Sequence, residues 1–303
     1  MQNAECRMQN GKRGHRFFLH FAFCILHSAF VLSCARSAER TAYDDLGRAV
    51  ALPKHITRVV TLAPNLTEIV FAAGAGKKVV CTDDFSDFPA AAKALPKVGG
   101  LQPNIEKIVA CRPDVVLATT NGNHPNLAPA LAAVNIPLYV VRTDRLEQIP
   151  SAIDRLGAML DAPERMDAVG RLRAETAAQR RTRVPPPRVL FAVWTNPLYV
   201  AGRKTYADDL LSLTGAANAV PVDGWPQYSL ESLMVHPPDL LLYPRGAVTP
   251  EAVEQLFRTA PELRRTTTAI GVDENRFTRP GPRVAEAAAE LNAIFDRWSM
   301  LRK

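Results

Sequence analysis

The 303-residue chain is predicted to be α/β, with two lobes joined by a long helix. Three observations predict it. Short aliphatic runs alternate with amphipathic helical segments on either side of a central stretch. That stretch, from Leu146 to Arg183, reads as helix and carries no strand signal. One unit is also written twice. "NIEKIVACRPDVVLA", from Asn104 to Ala118, returns from Ser229 as "SLESLMVHPPDLLLY". Each copy sets a capping-type residue before an aliphatic and a glutamate, then Pro-Asp (Pro113-Asp114, Pro238-Asp239), then an aliphatic run. The expected divisions are a segment 1–34 outside the fold, an N-terminal lobe 40–145, a linking helix 146–187 and a C-terminal lobe 188–303.

The elements follow in order. Lys12, Arg13 and Arg16 precede "FFLHFAFCILHSAFVLSC", a charged region before an apolar one, which reads as a secretory signal. A membrane anchor is the competing reading, and the run is barely long enough for one. "VLSC" matches a lipoprotein box with Cys34 as the lipidated residue, except that Leu32 is not small. "YDDLGRAVALP" reads as a hairpin turning at Gly47. "RVVTLAP" is a buried strand. "NLTEIVFAAGAG" is a helix with Asn65 as its cap, Glu68 three residues on and Gly74 to stop it. "KVVCT", "DVVLATT" and "PLYVVR" are further strands, separated by the helices "PNIEKIVACRP" and "PNLAPALAAVN". In the connector, Pro163 suits the first turn of a second helical segment, and Pro185 to Pro187 close it. A second series then runs from "RVLFAVW" through "YADDLLSLTG", "DLLLYP", "PEAVEQLFRTAPEL" and "TAIGV" to the C-terminal "RVAEAAAELNAIFDRW".

Composition narrows the function. The formal charge is +7, but Arg7, Lys12, Arg13 and Arg16 against Glu5 place three of those charges before Cys34. The remaining balance is too mild to argue for nucleic acid. Cys81 and Cys111 sit in apolar surroundings, so buried free thiols are the default, with a disulfide as the alternative in an oxidising compartment. "GAGKKV" ends a helix and lacks the third glycine of a dinucleotide loop. The chain has no G-x-S-x-G and no H-E-x-x-H. His55, His124 and His236 are scattered, where a metal centre needs converging ligands. No catalytic residue, catalytic cofactor or metal site is expected, and the chain is not read as an enzyme.

Glu106 and Glu231 each fall in the first turn of a helix, where an acid favours the helix dipole. The dipole alone does not explain the matched context. Two like acids on two lobes suit a partner that is itself two-fold and offers a basic pocket to each. Aromatics cluster in loops at strand ends: Phe85 and Phe88, Trp194 and Tyr199, Trp225 and Tyr228. Core filling is the bland reading of any one of them. Together, at the carboxyl ends of parallel strands, they suit a large, flat ligand. Arg279 in "FTRPGPR" would add a charged contact, and His124 in the polar loop "TTNGNHPN" could reach a metal within a ligand.

The sequence resembles the periplasmic binding proteins of ABC importers for cobalamin, ferric siderophores and haem, with the cobalamin branch nearest. The resemblance covers nearly all of Tyr43 to Trp298. It is carried by "DDLGRAV", "RVVTLAPNLTEIVFAAGAGKKVV", "DFSDFPAAAKALPKVGG", "NIEKIVACRPDVVLA" and "WPQYSLESL". It implies two Rossmann-like lobes bridged by a rigid helix, a monomer outside the cytoplasmic membrane, and membrane contact only through a lipid anchor. It implies a corrinoid as transported ligand, near Phe85, Trp194, Tyr199, Trp225 and Arg279. It also implies docking of Glu106 and Glu231 on arginines of a permease dimer served by ATPase subunits. Gly99-Gly100-Leu101 stands where the cobalamin branch carries a tryptophan, which keeps a different corrinoid, a siderophore or haem open as ligand. A secreted enzyme on the same scaffold is the more distant alternative.

Overall fold

The N-terminal lobe starts from a hairpin. β1 (Glu39–Tyr43) and β2 (Ala49–Pro53) pair as a two-stranded sheet, as expected of that segment. The buried Asp44 carboxylate organises the turn by accepting from the Leu46 and Arg48 N–H groups and from the Arg48 guanidinium. The computed structural model describes residues 39–120, 126–235 and 237–301. Cys34, His124 and His236 lie outside the described residues.

Four short strands then make a parallel sheet in the order β4-β3-β5-β6: β3 (Val59–Thr61), β4 (Val79–Thr82), β5 (Val115–Thr119) and β6 (Leu138–Val141). The helices between them are α1 (Pro64–Ala72), the short α2 (Ala90–Lys93), α3 (Ile105–Ala110) and α4 (Leu127–Ala133). The second sheet repeats the plan. β7 (Arg188–Thr195), β9 (Ala217–Asn218), β10 (Leu240–Arg245) and β11 (Thr268–Asp273) run parallel in the order β9-β7-β10-β11. β8 (Leu198–Val200) adds an antiparallel strand to β7.

Between the sheets the chain is helical: α5 (Gln148–Met159), then α6 (Arg165–Ala178), the longer of the two. α6 leads to a segment pinned by Arg183, which donates to the Thr214 and Asn292 carbonyls and pairs with Asp296. The second lobe carries α7 (Tyr206–Leu213), α8 (Leu230–Val235), α9 (Pro250–Thr259), α10 (Leu263–Thr266), α11 (Glu274–Phe277) and α12 (Val284–Leu301). α1 and α7 follow the first strands of their sheets, and each gives way to a glycine with positive φ, Gly74 and Gly215. Such a residue lets a helix turn back without a Cβ clash.

Strand periodicity distributes the core. Val59, Val115, Leu117, Tyr139 and Val141 point to one face of the first sheet. Val189, Phe191, Leu240 and Leu242 do so in the second. All enter one hydrophobic cluster with residues of α5, α6 and α12. The alternate residues face smaller clusters of their own: Val60, Val116, Ala118 and Val140 in the first lobe, Leu190, Ala192 and Leu241 in the second. Side chains alternate along a strand, so both faces of each sheet are covered. The lobes therefore share one core through the helices.

Three readings change. Helix α1 begins at Pro64 with Ala63 as its cap residue, and no side chain caps it. Asn65 instead donates to Thr143 Oγ1 at 2.9 Å and to the Pro280 carbonyl at 3.3 Å. Proline at the first helical position already accounts for a missing N–H, which frees both Asn65 and Glu68 for other partners. Second, Cys81 and Cys111 are joined in a disulfide with their Cα atoms 6.4 Å apart, within the usual range, so the default of free thiols does not hold. Third, "LYV" is a strand, β8, where the sequence read only a loop.

Candidate functional site: a cleft between lobes and two matched acids

The duplicated unit has a physical explanation. Asn104 accepts a hydrogen bond from the Lys107 N–H at 2.9 Å, and Ser229 Oγ accepts from the Ser232 N–H at 3.1 Å. Each satisfies a donor in the first turn of its helix, α3 or α8. The Pro-Asp pairs then anchor the next strand. Asp114 Oδ2 accepts from the Arg58 N–H at 2.9 Å while the Asp114 N–H donates to the Arg58 carbonyl. Asp239 Oδ2 does the same with Arg188, at 2.8 Å, and its N–H returns the bond. The aspartate therefore ties the start of the strand that follows each helix to the start of β3 or β7.

Those fixtures leave Glu106 and Glu231 exposed at equivalent positions. The Glu231 backbone N–H, and then the Ser229 hydroxyl, hold the Glu231 carboxyl below its ordinary value. Three and four residues on, and so on the same helical face, each helix exposes small or aliphatic residues: Val109 and Ala110, Met234 and Val235. α3 is the more firmly held of the two. Cys111 at its end is bonded to Cys81 of β4, and Arg58 donates to the Cys111 carbonyl at 2.7 Å and the Arg112 carbonyl at 2.9 Å.

A cleft of about 540 Å³ opens at the carboxyl ends of the strands. In the first lobe those ends are at Leu62, Asp83, Thr119 and Thr143, all on its wall. In a sheet ordered β4-β3-β5-β6, the chain leaves β3 toward β4 on one side and β5 toward β6 on the other, which creates a crevice between β3 and β5. The second lobe contributes Tyr206, Trp225, Phe277, Thr278 and Pro280. Phe85, 54% exposed, stands on one wall and Trp225, 48% exposed, on the other. Gly100 lies so close to the Phe85 ring that a Cβ there would fall 2.9 Å from it. Tyr206 is buried, and its hydroxyl is pushed well above the ordinary phenol value by that burial. Among the described residues no three His, Cys, Asp or Glu side chains converge as a metal site.

A family profile described as a periplasmic binding protein matches residues 59–271. The chain belongs to the periplasmic binding protein family. This binding protein is 32% identical over 257 residues to the vitamin B12-binding protein of Pectobacterium atrosepticum, covering 80% of the chain and 88% of that relative. Its fold is similar to the haem-binding protein RhuT of Roseiflexus sp. RS-1 (TM-score 0.70, 26% identity, 80% of this chain and 98% of that one). It is also similar to the vitamin B12-binding protein BtuF of Vibrio cholerae (TM-score 0.65, 24% identity, 80% and 98%). The family places the binding protein outside the cytoplasm. Among the described residues no helix is long and apolar enough to cross a membrane.

The residues singled out from sequence are distributed unevenly in the binding protein. Phe85 and Trp225 share the cleft. Trp194 and Tyr199 are half-exposed partners across β7 and β8, and neither is among the cleft-lining residues. Trp194 Nε1 donates to the Asn196 carbonyl at 2.9 Å, and Tyr199 bridges to Gln227, two residues past Trp225. Arg279 is only 12% exposed at its side chain, and its guanidinium engages protein groups. It pairs with Asp87 at 2.5 Å, donates to the Phe85 carbonyl at 3.1 Å, and lies 3.7 Å from Glu68.

Sequence reasoning missed the partners of that arginine. Glu68, with a side chain only 2% exposed, receives both arms of Arg283 at 2.7 and 2.9 Å. Arg283 also lies over the Phe88 ring, 4.5 Å from its centroid. Burial pushes the Glu68 carboxyl up against the pull of both arginines. The available signal was a charged residue within an otherwise apolar helix, "NLTEIVFA". A capping-box pattern supplied a local explanation and hid the distant one.

Proposed function

We propose that this protein captures cobalamin or a related corrinoid in the cleft between its lobes and delivers it to the permease of an ABC importer. The observation that carries the reading is the pairing of a ligand-sized cleft, walled by Phe85 and Trp225, with two exposed acids at matched positions of the two lobes. The vitamin B12-binding relative at 32% identity supports a corrinoid over other flat ligands. Aromatic faces bury apolar ring surface, and Thr119, Thr120, Thr143 and Asp144 supply polar groups at the floor. Trp194 and Tyr199, exposed on the β7–β8 pair, would extend the aromatic surface beyond the cleft lining. No chemistry is done on the ligand.

In this reading Glu106 and Glu231 meet basic side chains of a two-fold permease, while Val109, Ala110, Met234 and Val235 cover its apolar surface beside them. Residues 1–34 direct export, and lipid on Cys34 holds the protein at the outer face of the membrane. The protein works as a monomer, because one molecule already presents both acids.

Haem is the second reading, favoured by the haem-binding structural relative at 26% identity. Calorimetric titration with cyanocobalamin, a dicyano-corrinoid, haemin and a ferric siderophore separates the readings. Tightest binding is expected for a corrinoid. Tightest binding of haemin or the siderophore would transfer the proposal to that ligand. In reconstituted vesicles, Glu106→Ala with Glu231→Ala is expected to leave ligand affinity unchanged and to abolish transport; loss of ligand binding in that double variant would count against docking.

A further inference from the structure

Four charged side chains from two lobes meet beside the cleft. Glu68 and Asp87 come from α1 and the loop after β4; Arg279 and Arg283 come from the turn between α11 and α12. The residues in contact are 192 to 215 positions apart in sequence. Asn65 adds a neutral bond to the Pro280 carbonyl from the same side. These contacts lie on the wall that carries Phe85.

We propose that Arg279 is a positioning residue of the cleft: with Asp87 and the Glu68–Arg283 pair it clasps the lobes along one wall and holds the Phe85 loop in place before ligand arrives. This role depends on the cleft being the ligand site proposed above.

Three features favour positioning over simple stabilisation. First, Arg279 bonds the backbone of the residue whose ring faces the cleft, the Phe85 carbonyl, and in the same fork the carboxylate two residues on. A planar guanidinium fixes direction as well as distance. Second, the loop is held from its own lobe at complementary points. Asp83 accepts from the Phe85 N–H at 3.1 Å and from Ser86, and Lys97 donates to the Ser86 carbonyl at 2.5 Å. The Phe85 carbonyl is met from across the lobes. Third, desolvation offsets most of the attraction within the buried Glu68–Arg283 pair, so net stability is a weak account of its presence. A cleft held at working width avoids the ordering cost of closing around ligand.

The test is a double-mutant cycle read on ligand affinity, with cyanocobalamin and haemin as probes, using Asp87→Ala, Arg279→Ala and the pair. If the clasp positions Phe85, each single variant weakens binding about tenfold, and the pair is no weaker than Arg279→Ala alone. Arg279→Lys keeps the charge but lacks the fork, and is expected to resemble Arg279→Ala. Spin labels on the two lobes would give a narrow distance distribution in ligand-free wild type and a broad one in Arg279→Ala. Unchanged affinity in both singles, or losses that multiply in the pair, would overturn the proposal. Should Arg279→Ala fail to fold, Asp87→Ala, at a half-exposed side chain, carries the same readout. Wild-type protein that binds neither probe would remove the cleft reading itself, and this proposal with it.

Discussion

At the scale of residues, two aspartates explain why one phrase of sequence occurs twice. Asp114 and Asp239 each hold the N–H of an arginine at the start of a parallel strand, Arg58 just before β3 and Arg188 in β7. Removing the Asp114 carboxylate strips its bonds from the Thr57 and Arg58 N–H groups and the Thr57 hydroxyl, all at an exposed site. Asp114→Ala is expected to lower unfolding stability by about 1 kcal/mol, measured by denaturant titration, with ligand affinity unchanged. Asp87 behaves differently with pH. Burial raises its carboxyl, but the hydrogen bond and charge of Arg279 outweigh that and leave it below the ordinary value of 3.8. A carboxylate depressed in the folded state contributes stability above its unfolded value and loses it as pH falls through the folded one. The melting temperatures of wild type and Asp87→Asn should therefore differ by a constant amount near neutrality and converge in acid below the ordinary carboxylate range. A difference that grows in acid would contradict the assignment. Glu68 shows what the sequence hid at this scale. Its spacing from Asn65 satisfies a local capping rule, while its partner is 215 residues away. Phe85 and Trp225 were legible as aromatics in polar loops at strand ends, and both line the cleft.

At the scale of elements, the strands were legible because they are short, aliphatic and flanked by Pro, Gly or Asp. β8 and β9 were not, since three and two residues carry too little pattern. The helix α3 was legible from Asn104 and Glu106, but not its staple. Cys81 and Cys111 each sit among apolar neighbours, and sequence alone does not say whether two such residues meet. The bridge ties the end of α3 to β4, so it steadies the element that presents Glu106. No disulfide holds α8 among the described residues. Cys81→Ser with Cys111→Ser is expected to leave cyanocobalamin affinity within about twofold and to weaken permease-dependent transport severalfold, because the Glu106 helix loses an anchor while the cleft keeps its lining. Equal loss of ligand binding would show that the bridge serves the cleft instead.

At the scale of the whole molecule, like-ordered sheets, β4-β3-β5-β6 and β9-β7-β10-β11, put like helices at like places. Duplication of the plan sets the two acids at matched positions, one in each lobe, where the proposed two-fold partner would meet them. The sheets share one core through α5, α6 and α12, which joins the lobes at their base, while the charge clasp joins them at one wall. Little relative motion is expected on binding. The two-lobe plan was visible in sequence from its alternation and its repeat. The shared core was not, because it depends on which face each strand turns toward the connector. The central claim is that a flat macrocycle sits between Phe85 and Trp225. It is tested most directly by titrating cyanocobalamin into wild-type protein and into Phe85→Ala with Trp225→Ala. One molecule should bind per wild-type chain, and the double variant should lose at least about a hundredfold in affinity. Equal affinity in the two proteins would contradict the account.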